Sequence, residues 1–194
     1  MEITTTQLKE LRDKTGISVM QCKKALEEAG GDMEKAVIIL KKRRSEAAEK
    51  KSDRELGAGT IGYYLHNTNE VASLVLLASE TDFVAKNEEF IALAREIAMQ
   101  VTATSPTYIK REDVPEATIE KAKEVFKTEV QDKPADMQEK ILEGKLAAYF
   151  KEQILLEQPF VKNPDVTIKD MITGAIHKFG ENISVVKISR LSVK

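Results

Sequence analysis

The chain has 194 residues, of which 42% are hydrophobic and 32% charged, a composition typical of a soluble globular protein with one or two domains. Its 30 basic and 32 acidic side chains give a formal charge of −2, so overall charge provides no general attraction to nucleic acid or anionic membranes. The sequence has no run approaching the roughly 18 apolar residues of a membrane span, no signal-peptide pattern at its start, and a single cysteine. We therefore expect a cytoplasmic protein without membrane contact or internal disulfide.

The first forty residues predict three short helices. Each begins with a side chain suited to capping, and the first two have a glutamine three residues later, the spacing of a capping box. These capping residues are Thr4, Ser18 and Asp32. Gly16 and the glycine pair 30–31 supply the helix ends. Apolar residues recur at helical spacing after each cap, which predicts a three-helix domain over residues 1–46.

A charged segment follows this domain. Residues 41–54, KKRRSEAAEKKSDR, contain seven basic and three acidic side chains and almost nothing to bury. The pattern favours the solvated end of the third helix running into a linker at 47–55. A nucleic-acid-binding arm is the alternative, but no aromatic residue is interleaved to stack on bases, so we expect no direct nucleic-acid contact.

Residues 56–194 predict an α+β core. Two β-rich runs, 61–65 and 71–77, flank the turn-forming HNTN and predict an antiparallel hairpin. The pattern predicts helices after Asn87, over 116–131 and 135–152, and after Thr167, and NISVVKISRLSV predicts a last strand. Pro159 and Pro164 predict an irregular segment between the last two helices. Three strands with segregated helices indicate a small antiparallel sheet.

The sequence offers little for catalysis or cofactor binding. Residues 57–62, GAGTIG, match the dinucleotide fingerprint, but a charged segment precedes them and a strand follows, where the site needs a strand before and a helix after. This favours a flexible strand entry, with a dinucleotide-dependent oxidoreductase as the alternative. His66 and His177 have no nucleophile at a motif spacing, and Cys22 lies on an apolar helix face. We expect no cofactor and no metal site.

The junction between the second strand and the next helix is the most distinctive segment. It reads ASETDFVAKNEEF, residues 78–90, and sets an acid and an aromatic ring side by side at Asp82 and Phe83. If a helix begins at Asp82, Phe83 and Phe90 share one face and both can be core residues. The alternative is a ring held out for a partner.

Two segments resemble the signature regions of bacterial elongation factor Ts, the guanine nucleotide exchange factor of elongation factor Tu. They are LRDKTGISVMQCKKALEEAGGDMEKA at 11–36 and SETDFVAKN at 79–87. Further agreement comes from the strand end at 64–66, EGKL at 143–146 and QPFVKNP at 158–164. The similarity spans nearly the whole chain and resembles the short form of the family. The first segment is also similar to ubiquitin-associated domains, whose fold the family shares there.

The resemblance implies that the chain releases GDP from elongation factor Tu by displacing Mg²⁺, stays bound until GTP binds, and carries out no bond-making chemistry. It assigns partner binding and Mg²⁺ displacement to Thr81, Asp82, Phe83 and Val84. As an alternative, an adaptor for ubiquitin-like or nascent chains would act through residues 1–46 alone.

The resemblance also implies a second contact with elongation factor Tu. It places Gly16 and Ile17 in the loop that ubiquitin-associated domains use for binding, although Ile17 can equally be a hydrophobic staple at the start of its helix. Short members of the family are expected to pair, which leaves a homodimer open.

Overall fold

The computed structural model describes residues 3–131 and 134–193. The chain divides into two compact units, Met1–Asp53 and Arg54–Lys194. The division falls inside the predicted linker, 47–55. The predicted fold class is confirmed: helices form the first unit, and the second combines helices with a small antiparallel sheet.

The first unit consists of three helices, α1 (Thr5–Thr15), α2 (Val19–Glu28) and α3 (Met33–Glu49). All three predicted caps are confirmed, since the side chains of Thr4, Ser18 and Asp32 each accept a hydrogen bond from a backbone amide in the first turn. The Thr4 capping box is complete, whereas Gln21 accepts from the Ser18 hydroxyl rather than from the Ser18 amide. The buried core of this unit consists of Leu11, Ile17, Cys22, Ala25, Leu26, Ala36 and Leu40.

The second unit contains five strands and five α-helices in its described part. In chain order they are β1 (Ala58–Leu65), β2 (Val71–Ser79), α4 (Asp82–Ala85), α5 (Glu88–Thr104), α6 (Glu116–Glu129), α7 (Ala135–Gln153), β3 (Pro159–Phe160), β4 (Asn163–Thr167), α8 (Ile168–Phe179) and β5 (Ile183–Ser192). The main sheet has the order β1-β2-β5 with both pairings antiparallel. The predicted hairpin and the final strand are confirmed.

The position of GAGTIG in strand β1 tests the dinucleotide-binding alternative. The strand begins at Ala58 and runs to Leu65, so residues 58–62 lie inside it. A dinucleotide site needs this loop to open a helix whose N-terminus meets the pyrophosphate. Because a strand takes that place, the dinucleotide alternative is wrong.

The two faces of the main sheet differ in what covers them. Helix α5 packs on one face, where Val75 and Leu77 of β2 and Ala94 and Ile97 of α5 are buried. The opposite face, which we call the outer face, carries exposed apolar side chains from all three strands. They are Ile61, Tyr63, Leu65, Leu74, Leu76 and Leu191. An apolar strip of this kind on a sheet is a candidate contact surface.

Helices α6 and α7 pack against each other and end within two residues of their predicted ends. The rings of Phe126, Tyr149 and Phe150 meet edge to face, with centroids 5.5 and 5.1 Å apart. Phe150 also joins a small core with Val114 and Ile154. The predicted break at Lys133 lies outside the described residues.

The prediction of an irregular segment around Pro159 and Pro164 is wrong. Both prolines lie in a two-stranded antiparallel sheet formed by β3 and β4. Proline is tolerated where a strand has an unpaired edge, and each strand of a two-stranded sheet has one. The buried side chain of Gln100 holds this hairpin: it accepts from the Val161 amide at 2.9 Å and donates to the Pro159 carbonyl at 3.2 Å.

Helix α8 follows the hairpin and leads into β5. Thr167 and Asp170 form a complete capping box at the start of the helix predicted after Thr167, and Gly180 ends the helix with a left-handed φ of 76°. The next two residues, Glu181 and Asn182, make the turn into β5. Since β5 pairs with β2, this turn lies beside the end of β2, where the distinctive junction begins.

Candidate functional site

The junction is a one-turn helix between β2 and α5. Helix α4 begins at Asp82, directly after the extended residue Thr81, and ends at Ala85. The chain then becomes extended at Asn87, whose side chain accepts from the Glu89 amide and caps α5. Helices α4 and α5 are therefore separate.

This separation explains why Phe83 is exposed. A helix does begin at Asp82, the condition under which Phe83 and Phe90 would share one face, but the extended residue Asn87 breaks the helical phase between them. Phe90 is fully buried and packs edge to face on Phe179, whereas Phe83 is 86% exposed. The alternative in which Phe83 is a core residue is therefore wrong.

The neighbours of Phe83 divide between surface and core. Val84 and Ala85 are buried and seat the short helix on the sheet unit. Thr81 and Asp82 are exposed beside the ring. The structure thus brings the four predicted site residues together, with three at the surface and Val84 beneath them.

Asp82 is paired within its own helix. The Lys86 ammonium lies 2.7 Å from Asp82 Oδ2, and this hydrogen bond and charge lower the pKa of the Asp82 carboxyl below its ordinary value of 3.8. Both side chains are mostly exposed. The surface around Phe83 therefore carries an ionised carboxylate and a cation next to an uncovered ring.

A turn distant in sequence holds the start of α4. The Glu181 carboxylate accepts from the Thr81 amide at 3.0 Å and from the Thr81 hydroxyl at 2.6 Å. One residue further along, the Asn182 amide donates to Glu80 Oε1 at 2.5 Å. Arg54 pairs with the same Glu80 oxygen at 3.3 Å. Arg54, Glu181 and Asn182 were not predicted from the sequence, because nothing local marks contacts made across 26 to 102 residues.

The second predicted contact is only partly accessible. Gly16 ends α1 with a left-handed φ of 66° and is exposed. Ile17 is 3% exposed and belongs to the three-helix core, as its alternative role as a staple implied. The exposed apolar side chains beside this loop are those of Val19 and Met20 in the first turn of α2.

The other residues considered for chemistry, a cysteine and a histidine, have contacts typical of structural residues. Cys22 is buried, and His66 lies in the β1–β2 turn with its Nδ1 2.9 Å from the Thr68 hydroxyl. Within residues 3–131 and 134–193, no three His, Cys, Asp or Glu side chains are placed to hold a metal ion. None of the helices described is both long enough and apolar enough to cross a membrane.

Comparison with known proteins identifies the family. The sequence profile described as "Elongation factor TS" matches residues 43–194, which is most of the chain. The chain belongs to the elongation factor Ts family. Among curated members, elongation factor Ts of Thermodesulfovibrio yellowstonii is 50% identical over all of this chain and 97% of its own length. Those of Thermosipho melanesiensis and Carboxydothermus hydrogenoformans are 49% and 48% identical, each over 98% of this chain and over 98% and 89% of their own lengths.

Membership of the elongation factor Ts family assigns the chain a role in translation elongation. The matches to whole relatives also cover residues 1–42, which the profile match does not include. The resemblance of the two signature segments is thereby confirmed at the level of the family. The junction around Phe83 lies inside the region that the profile covers.

Proposed function

We propose that this chain is a guanine nucleotide exchange factor for elongation factor Tu, which it binds most tightly when the nucleotide has left. The observation that carries the proposal is the 86% exposed ring of Phe83 on a short helix that is held at its start by Glu181 and seated on the core by Val84 and Ala85. An exposed aromatic side chain on a rigid support is a typical anchor of a protein interface.

Exchange of this kind requires no bond-making residue. By linkage, the factor by which the exchange protein weakens GDP binding equals the factor by which GDP weakens binding of the exchange protein. The coupling must therefore come from contacts that are incompatible with bound GDP and Mg²⁺. Mg²⁺ demands near-ideal octahedral geometry, so a small displacement of its ligands by an inserted ring lowers nucleotide affinity directly.

Each residue of the junction has a distinct part in this proposal. Phe83 inserts into the GTPase, Asp82 provides a polar contact beside it, and Thr81 holds the start of α4 through its hydrogen bonds to Glu181. Val84 is 8% exposed, so we assign it to seating α4 on the core rather than to contacting the partner. The complex persists until GTP binds and restores the Mg²⁺ site.

The three-helix unit supplies the second contact in the proposal. Its loop presents the backbone of Gly16, and the exposed side chains of Val19 and Met20 lie next to it. Ile17 supports this loop from within the core and has little surface to offer. Because translation takes place on ribosomes, the proposed site of action is the cytoplasm.

We further propose that two copies of the chain pair through the outer face of the main sheet. Tyr63 and Leu191 on that face are 70% and 71% exposed, and β1 and β2 add four more apolar side chains. Sheets with apolar faces commonly pack against each other in this way. A pair of copies would present two junctions.

The deciding experiment measures release of fluorescent GDP from elongation factor Tu with and without the chain. The wild-type chain accelerates release, and Phe83→Ala lowers the maximal rate by roughly thirtyfold, the effect of losing a hot-spot anchor of about 2 kcal/mol. Because the ring is exposed, the free energy of unfolding of Phe83→Ala stays within about 0.5 kcal/mol of wild type. Val125→Ala, which truncates an exposed side chain on α6, is the control and leaves the rate unchanged.

Two results would contradict the proposal. If the wild-type chain does not accelerate GDP release, the exchange function is wrong. If residues 1–46 alone bind a ubiquitin-like or nascent chain while the full chain leaves GDP release unaltered, the adaptor alternative replaces it.

A further inference from the structure

The start of helix α4 lacks the side-chain hydrogen bond that is usual at an N-cap. Thr81 occupies the N-cap position, where a threonine hydroxyl normally accepts a hydrogen bond from an amide of the first turn. In this structure the Thr81 side chain makes no such capping bond. Its hydroxyl donates to Glu181 Oε1 at 2.6 Å instead. A helix of four residues therefore begins without the side-chain cap that its own sequence could provide.

The Glu181 contact continues the sheet beyond its last paired strands. Ser79 of β2 is paired with Ile183 of β5, and the same register carried two residues further would place Thr81 opposite Glu181. There the Glu181 side chain, rather than its backbone, accepts from both the amide and the hydroxyl of Thr81, at 3.0 and 2.6 Å. The Thr81 carbonyl accepts from the Ser79 hydroxyl at 3.0 Å and from the Ala85 amide at 3.2 Å. Every polar group of Thr81 is thus fixed.

We infer that Glu181 is a positioning residue that sets the direction in which α4 presents Phe83. One helical turn is not stable on its own, so the orientation of α4 depends on two supports: the buried Val84 and Ala85, which seat it on the core, and Thr81, which precedes its first residue. Thr81 donates two charge-assisted hydrogen bonds to the Glu181 carboxylate and is thereby held at two points. This inference rests on the proposed exchange function, because it is the exchange reaction that uses the presented ring.

The inference predicts a specific kinetic signature. Without Glu181, α4 samples several orientations and only a fraction of molecules presents the ring correctly. The apparent affinity for the GTPase falls in proportion to that fraction. When the GTPase is saturated with the chain, however, the bound molecules are those with the competent orientation. Glu181→Ala therefore raises the concentration giving half-maximal GDP release by roughly tenfold, in the range for lost charged hydrogen bonds, and leaves the maximal rate within about twofold. Phe83→Ala, in contrast, lowers the maximal rate.

Matched variants separate positioning from general destabilisation. Glu181→Gln keeps one acceptor oxygen and gives an intermediate half-saturating concentration. Thr81→Val keeps the shape and the amide but removes the hydroxyl, and combining it with Glu181→Ala adds nothing to Glu181→Ala alone. Glu120→Ala removes a carboxylate that pairs with Lys123 of its own helix, and it is the control without effect. Thermal unfolding of each variant gives the folded fraction by which rates are corrected.

Amide hydrogen exchange of the full chain alone completes the test. Glu181→Ala speeds exchange at Lys86 and Asn87, whose amides donate within the α4 turn, while amides in the centre of α5 stay protected. Any one of three results would overturn the inference. They are an unchanged half-saturating concentration in folded Glu181→Ala, unchanged hydrogen exchange at these amides, and additive effects in the double variant. Failure of the exchange proposal is distinguishable, because then the wild-type chain itself does not release GDP.

Discussion

Gly62 of β1 lies directly against the backbone of Ala94 in α5. A Cβ atom added at Gly62 would come within 2.2 Å of the Ala94 carbonyl, far inside van der Waals contact. The obstacle is helix backbone, which cannot move aside as a flexible side chain could. Glycine at this position therefore allows α5 to approach the sheet, and α5 in turn carries the junction at its N-terminal end.

We expect Gly62→Ala to lower the free energy of unfolding by about 3 kcal/mol or more, at the upper end of the costs of overpacking. Denaturant unfolding followed by circular dichroism measures it. Gly144→Ala is the matched control: Gly144 lies inside α7 with nothing within 4 Å of an added Cβ. There the substitution adds about 0.5–1 kcal/mol of stability, since alanine is the better helix former. Equal effects at both sites would contradict the close-packing argument.

Gly62 and Phe83 illustrate which features of the structure can be predicted from the sequence. Helix caps, the β1–β2 hairpin and the last strand depend on residues near each other in the chain, and the sequence predicted them correctly. The motif GAGTIG was recognised, but its glycines serve contacts with β2 and α5 that no local pattern reveals. The exposure of Phe83 could have been predicted from the sequence. Asn87 is predicted to cap the next helix, so Phe83 and Phe90 belong to different helices and need not share one face.

Contacts across long stretches of chain were beyond prediction. Thr81 and Glu181 are a hundred residues apart, and their bonds depend on the pairing of β2 with β5. The β3–β4 hairpin was missed for a related reason. Two prolines argue against a strand by local rules, and only the buried Gln100 from α5 shows how the segment is held.

Gln100 offers a direct test of that support. Its side chain is fully buried and bonds Val161, Pro159 and Gln158, the last at 3.0 Å. Gln100→Leu keeps the approximate size but removes the partly buried hydrogen bonds with the Val161 amide and the Pro159 carbonyl, whereas Gln158 Oε1 keeps its bond from the Thr104 hydroxyl. We therefore expect a loss of about 1–3 kcal/mol in the free energy of unfolding. The Val161 amide, which donates to Gln100, should exchange with solvent faster while amides of β2 stay protected. Undiminished protection at Val161 would show that the hairpin is held by other contacts.

Asp82 provides a prediction about pH. Its pKa in the folded chain is lowered, first by the hydrogen bond from Lys86 and then by the charge of Lys86. A lowered folded pKa means that the pair's stabilising effect is present above the ordinary value of 3.8 and is lost as pH falls through the lower folded value. A carboxyl titration by NMR should show Asp82 titrating below 3.8 in wild type and nearer 3.8 in Lys86→Met.

Asp32 is the control for that titration. Its pKa is also lowered, but the largest cause is a hydrogen bond from the backbone amide of Lys35. Lys35→Met keeps this amide, so Asp32 should retain most of its lowered pKa. If Asp82 keeps its low pKa in Lys86→Met as Asp32 does in Lys35→Met, the pair with Lys86 is not the cause.

The final prediction concerns the outer face of the main sheet. Tyr63 and Leu191 lie on a strip of apolar side chains that the described residues of the same unit leave exposed. If two copies bury this strip against each other, a charge at its centre opposes association because it would be buried without a partner. Sedimentation equilibrium should give twice the 21.7 kDa mass of one chain for wild type and a single-chain mass for Tyr63→Glu. Val125→Glu places the same charge on α6 and leaves the mass doubled, whereas a wild-type chain that sediments as a monomer at every concentration would rule out pairing.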